Sequence, residues 1–126
     1  MRPRYTKIRD QRDGNHADIV NALRGCGIEV IETERPVDAL VFNETQAGWI
    51  EIKTEARNAT IRRSQLEFIA KTKMPVALVK TPDEALKFAK TMEGLSQRQK
   101  DALAVFLMKD KGKAFHPAKV EGILGL

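Results

Sequence analysis

The sequence predicts a single α/β domain in which a mixed β-sheet is flanked by helices. Segments with helical spacing of apolar residues alternate with short runs rich in β-branched and apolar residues. Their order is one helix, three strands, a helix, a strand and two further helices. The 126 residues, 42% hydrophobic and 31% charged, suit one hydrophobic core.

The first half of the chain contains the predicted helix and three strands. Apolar residues between positions 15 and 23 follow helical spacing, and Asn15 with Asp18 resembles a capping box. Gly25 and Gly27 end this helix, and a strand is expected over residues 28–33. Two further strands are predicted over residues 37–42 and 49–53, separated by a turn.

The second half adds a helix over residues 60–72, capped by Thr60, and a buried strand over 76–79. Thr81 begins a helix to residue 92, and Ser96 begins a last one that ends near residue 110. A basic, poorly patterned tail follows. We therefore expect a flexible basic arm over 1–12, a core over 13–93, and a C-terminal helix and tail over 94–126 packed on the same domain.

Charged residues occupy the ends of the second and third strands. If the two strands form a hairpin centred near Thr45 and Gln46, Asp38 lies opposite Lys53 and diagonally from Glu51. Two carboxylates this close repel each other unless a cation lies between them. The pattern favours a divalent ion such as Mg²⁺, which prefers oxygen ligands and keeps several waters. A plain salt-bridge cluster is the alternative interpretation.

Such an ion would activate water and neutralise the charge that builds up on a phosphate, with the Lys53 ammonium beside it. The Pro36-Val37-Asp38 strand start, the short hairpin, the IEIK run over 50–53 and the helix containing Gln65 resemble the PD-(D/E)xK nuclease superfamily. The resemblance covers roughly residues 13–92 and is strongest to compact phage and resolvase-like members, including the virus-type replication-repair nucleases.

The resemblance implies a restriction-endonuclease-like αβββαβ core and a Mg²⁺-dependent DNA endonuclease in which Mn²⁺ substitutes for Mg²⁺. It implies that Asp38 and Glu51 bind the metal and that Ile52 offers its backbone carbonyl. It further implies that Lys53 serves the attacking water and that Gln65 helps to hold the site or the DNA. An exposed helix residue is the alternative interpretation for Gln65.

The chain departs from the superfamily pattern at two positions. His16 stands where members usually carry Glu in the first helix, and Val37 rather than Pro precedes Asp38. A neutral imidazole can still ligate a metal, so His16 is kept as a candidate ligand. A polar first-turn residue is the alternative. These departures leave open a catalytically degenerate DNA-binding module with the nuclease fold.

The charge balance favours a polyanionic partner. The formal net charge is +5, and the candidate DNA contacts are Arg9, Arg12, Arg57, Arg62 and Arg63. A solvated basic tail is the alternative for the arm. The sequence shows no helix-turn-helix or zinc-finger motif that would recognise particular DNA bases. We therefore expect selectivity for DNA structure, such as branched or junction DNA. A homodimer is a further possibility for the assembly of the chain. A toxin or regulatory protein whose basic surface binds an acidic protein is an alternative function.

Membrane and secreted proteins are disfavoured classes. The longest apolar run, residues 102–108, is far shorter than the roughly 20 residues that cross a bilayer. The N-terminus lacks the apolar segment of a secretory signal, and the single Cys26 cannot form an intrachain disulfide. We expect a cytoplasmic protein, which includes a phage-encoded one acting in its host.

Overall fold

The computed structural model describes residues 15–54 and 56–126. The helices are α1 (His16–Gly25), α2 (Arg63–Lys71), α3 (Pro82–Thr91), α4 (Gln97–Lys109) and α5 (Pro117–Leu124). The strands are β1 (Glu29–Glu32), β2 (Ala39–Phe42), β3 (Ala47–Ile52), β4 (Ile61–Arg62), β5 (Val76–Val79) and β6 (Ala114–Phe115). The predicted α/β class, with a mixed sheet flanked by helices, is confirmed.

Four strands form the main sheet in the order β1-β2-β3-β5. β1 and β2 are antiparallel, as are β2 and β3, whereas β5 runs parallel to β3. The parallel pair requires a crossover, and α2 provides it. Strands β4 and β6 form a second, two-stranded antiparallel sheet.

The predicted register of the β2–β3 hairpin is wrong by two residues. Ala39 pairs with Ile50, and Phe42 pairs with Ala47, so the turn is centred between Glu44 and Thr45. The side chain of Asn43 explains this tighter turn, because its oxygen accepts hydrogen bonds from the backbone N–H groups of Thr45 and Gln46. Continuing the observed register places Asp38 opposite Glu51 rather than opposite Lys53.

The main sheet is covered on both faces. Ile50 and Ile52 pack in one cluster with residues of α1 and α3, while Trp49 packs in a second with residues of α2, α4 and α5. Neighbouring residues of a strand point to opposite faces, so this division follows from the pleat. Glu51 therefore lies on the same face of the sheet as Trp49, beneath α2.

Helix starts agree with the sequence prediction in α3 and α4. Thr81 accepts a hydrogen bond from the N–H of Glu84, and Ser96 accepts one from the N–H of Gln99. The predicted cap of α1 is wrong, because the Asn15 side chain makes no capping hydrogen bond. The predicted start of α2 is too early in the sequence, because Ile61 and Arg62 form β4 and the helix begins at Arg63.

The C-terminal tail is more ordered than its sequence suggested. After α4 it forms β6 and then α5, whose residues Val120 and Leu124 are buried in the second cluster. His116 caps α5 by accepting the N–H of Ala118 at 3.0 Å. Across residues 15–54 and 56–126, no helix has both the length and the apolar character needed to span a membrane.

Candidate active site

Asp38 and Glu51 meet where β2 and β3 lie side by side. The Asp38 carboxylate oxygen Oδ2 accepts a hydrogen bond from the backbone N–H of Ile52 at 2.7 Å. The backbone N–H of Asp38 donates in return to Glu51 Oε1 at 3.2 Å. These two bonds lock each acid to the strand of the other, so the two predicted metal ligands are brought together.

Glu51 is a buried acid, with only 4% of its surface exposed. Burial raises the pKa of Glu51 to about 9, and the charge of Asp38 and a side-chain hydrogen bond with it act in the same direction. The Asp38 backbone N–H and the Arg62 guanidinium act in the opposite direction. Without a cation in the site, burial thus favours the protonated Glu51 carboxyl, and a bound cation would act in the opposite direction by favouring the carboxylate.

Gln65 links α2 to this acid pair. Its Nε2 donates to Glu51 Oε1 at 3.3 Å, while its Oε1 accepts the backbone N–H of Arg62 at 2.9 Å. The Gln65 amide group thus fixes the start of α2 and also contacts Glu51. Only 8% of Gln65 is exposed, so the structure excludes the alternative of an exposed helix residue.

Lys53 is buried and has a partner that the sequence did not suggest. Its ammonium pairs with the carboxylate of Glu121 on α5. The expected direct pairing of Asp38 with Lys53 is wrong, because the register places Glu51 across from Asp38. Lys53 nonetheless lines the same cavity as the two acids. The structure therefore places Lys53 at the site by its position directly after β3, and α5 supplies the partner of its ammonium.

A cavity of about 470 Å³ lies over these residues. Its wall includes the predicted residues Asp38, Glu51, Ile52, Lys53, Arg62 and Gln65. Thr54, Thr60 and Pro117 also contribute, and Arg62 is exposed, so its charge faces solvent beside the acids. The cavity combines the buried Glu51 and the partly buried Asp38 with cations, a setting that suits a metal ion and a phosphate.

Asp38 and Glu51 offer the oxygen donors that Mg²⁺ prefers, in a place where a cation would relieve their repulsion. In the part of the chain that the structure describes, no cluster of three or more His, Cys, Asp or Glu side chains could hold a metal. The acidic ligands would thus be these two, completed by the Ile52 carbonyl and water. Mg²⁺ accepts such a set because it binds through one or two carboxylates.

His16 lies away from this pair. Its Nε2 is 2.9 Å from Glu32 Oε1, and Glu32 shares a strand face with Val30 of the first cluster. Glu51 points to the opposite face, because its neighbours Ile50 and Ile52 occupy the face of the first cluster. The structure does not bring His16 to the other predicted metal ligands.

The candidate DNA contacts separate into two groups. Arg57 and Arg62 are exposed, and Arg62 lines the cavity. The guanidinium of Arg63 instead donates to the backbone oxygens of Leu107 in the last turn of α4 and of Asp110 and Gly112 just beyond it. Arg63 therefore holds α4 rather than facing the cavity. Arg9 and Arg12 lie outside the described residues.

Two site residues were missed by the sequence analysis. Asn15 Nδ2 donates to the carbonyl oxygens of Lys53 at 2.9 Å and Lys80 at 2.8 Å, and so ties α1 to the ends of β3 and β5. Glu121 pairs with Lys53. The sequence around Glu121 indicates only a helix, through Pro117 at the first position of α5 and Gly125 after its end, and nothing in it indicates the pairing with Lys53.

Comparisons with known proteins add no relative. No family model, no curated protein and no solved structure matches the chain.

Proposed function

We propose that the chain is a Mg²⁺-dependent endonuclease of the PD-(D/E)xK superfamily that hydrolyses DNA phosphodiester bonds. The observation that carries the proposal is the meeting of Asp38 and Glu51, each hydrogen-bonded to the strand of the other, in a cavity that Lys53, Gln65 and Arg62 also line. The Lys53 ammonium pairs with Glu121 on α5, so the alternative of a salt-bridge cluster in which Lys53 neutralises the two acids does not apply.

The order of elements supports a restriction-endonuclease-like core. A helix, an antiparallel run of three strands, a crossover helix and a parallel fourth strand follow one another, and a further helix comes next. The acids stand at the β2 start and in β3, where the superfamily motif carries them. The proposal therefore rests on the motif, the topology and the geometry together.

Each residue has a defined part in the proposed reaction. Asp38 and Glu51 would hold the ion, and the Ile52 N–H donates to the Asp38 carboxylate at 2.7 Å. When bound, Mg²⁺ would lower the pKa of water and neutralise charge on the phosphate. Gln65 restrains Glu51, and the Lys53 ammonium lies in the cavity wall, where it can stabilise negative charge.

DNA is the proposed substrate because the chain is basic and exposed arginines lie on the segment that follows the catalytic strand. The net charge is +5, and Arg57 and Arg62 are exposed on the segment between β3 and α2. Contacts of this kind bind phosphate without reading bases, so we propose selectivity for DNA structure rather than sequence, such as branched or junction DNA.

The test is cleavage of labelled duplex, single-stranded, flap and four-way-junction DNA in Mg²⁺ and Mn²⁺. Glu51→Gln removes one ligand while keeping a neutral group of the same shape, and Glu44→Gln, in the exposed hairpin turn, is the matched control. Cutting that requires metal and Glu51 supports the proposal. Tight DNA binding without cutting by any form would replace it with a degenerate DNA-binding module.

A further inference from the structure

Lys53 stands between two cavities. It lines the cavity of about 470 Å³ with Asp38 and Glu51, and a smaller one of about 260 Å³ with His116 and Glu121. Its side chain is 6% exposed, and its ammonium is paired with Glu121, whose side chain is 26% exposed. The positive charge of Lys53 is thus neutralised by the carboxylate of Glu121, which lines the second cavity.

A buried ammonium needs an anionic partner, because its desolvation is otherwise uncompensated. If Glu121 lost its charge, the remaining acids in the wall of the first cavity would be Glu34, Asp38 and Glu51. A lysine paired with Asp38 or Glu51 would occupy the oxygens that a divalent ion needs. Glu121 therefore determines whether the ammonium and the ion compete for the same donors.

The position of Glu121 is fixed by the docking of α5. His116 Nδ1 accepts the Ala118 N–H, so the proton is on Nε2, which donates to the Ala56 carbonyl at 3.1 Å. At the other end of the helix, Gln99 Nε2 donates to the Leu124 carbonyl at 2.9 Å. Val120, next to Glu121, is fully buried. Both ends and the middle of α5 are held, so the carboxylate is presented at a defined place.

We propose that Glu121 is a positioning residue of the metal site: it holds the Lys53 ammonium so that the lysine does not compete with a divalent ion for the oxygens of Asp38 and Glu51. This inference rests on the proposed function for the identity of the site. It makes the C-terminal helix a part of the catalytic centre. The lysine stays in the cavity wall.

The experiment measures Mn²⁺ binding to the full chain without DNA, from the electron paramagnetic resonance signal of free Mn²⁺. Glu121→Gln should weaken binding by about 10- to 100-fold, the usual effect of losing an outer-shell partner. Adding Lys53→Met to Glu121→Gln removes the competing ammonium and should restore the wild-type affinity. Lys119→Gln, on the same helix with a side chain 56% exposed, is the matched control and should bind as the wild type does.

Wild-type affinity in Glu121→Gln would overturn the inference, and so would a double variant that stays as weak as Glu121→Gln. If Glu121→Gln alone does not fold, Lys53→Met is compared with the double variant. The two must bind Mn²⁺ equally, since Glu121 acts only through Lys53, and unequal binding would overturn the inference. A wild-type protein that follows this pattern yet cuts no DNA would refute the proposed function and leave the positioning role intact.

Discussion

The buried acid of the site makes a quantitative prediction about stability and pH. The folded state raises the pKa of Glu51 from 4.5 to about 9, mainly through burial. Between these two values the folded chain binds a proton that the unfolded chain has lost. The stabilisation is therefore complete below the lower pKa and falls by about 1.4 kcal/mol per pH unit as the pH rises toward the upper one.

Glu51→Gln should abolish this dependence, because the amide stays neutral at every pH. From about pH 5 to about pH 7, the wild type should lose roughly 3 kcal/mol of unfolding free energy relative to Glu51→Gln. The assay is urea unfolding of both proteins at several pH values with a metal chelator present. Titrating groups that do not interact with Glu51 cancel in the comparison, and Glu44→Gln should follow the wild type. Parallel pH dependences for the wild type and Glu51→Gln would refute the reasoning.

Three further predictions concern residues that hold the fold around the site. Arg63→Ala should cost about 1–3 kcal/mol in urea unfolding, because it removes the donors to carbonyls at the C-terminal end of α4 and just beyond it. Arg57→Ala, at an exposed position, should change stability by less than about 0.5 kcal/mol and weaken DNA binding. Equal stability losses would contradict these assignments. Lys100→Met should cost about 1–3 kcal/mol, since the buried Lys100 ammonium donates to the carbonyls of Thr72 and Met74, and unchanged unfolding would contradict it. Gly94→Ala should lower the melting temperature more than Gly122→Ala, because the added Cβ would lie 2.1 Å from the Val76 carbonyl oxygen while Gly122 faces open space; equal melting temperatures would contradict the close approach.

The elements of the core were predictable because each is marked locally. Thr81 and Ser96 carry the caps of α3 and α4, and the continuous apolar run of β5 stands between breakers. The hairpin register was not predictable from strand patterns alone. The register is fixed by the Asn43 side chain, which closes the turn so that the strand pairing is shifted by two residues from the expected pairing.

The polar contacts of the site were the least predictable part. Asn15 is a residue type that commonly caps helices, yet its amide instead bridges the ends of β3 and β5, which are far from Asn15 in sequence. Glu121 follows Lys53 by 68 positions, and only the docking of α5 brings them together. Asp38, Glu51 and Gln65, by contrast, could be grouped in advance because the motif places them on adjoining elements.

The most direct test of the nuclease proposal compares Asp38→Asn with the wild type on one branched DNA. Asparagine keeps an oxygen that can accept the Ile52 N–H, and it removes the charge that a divalent ion requires. We predict that Asp38→Asn binds the DNA in Ca²⁺ as tightly as the wild type does and does not cut it in Mg²⁺. Cleavage by Asp38→Asn at the wild-type rate would contradict the proposed active site.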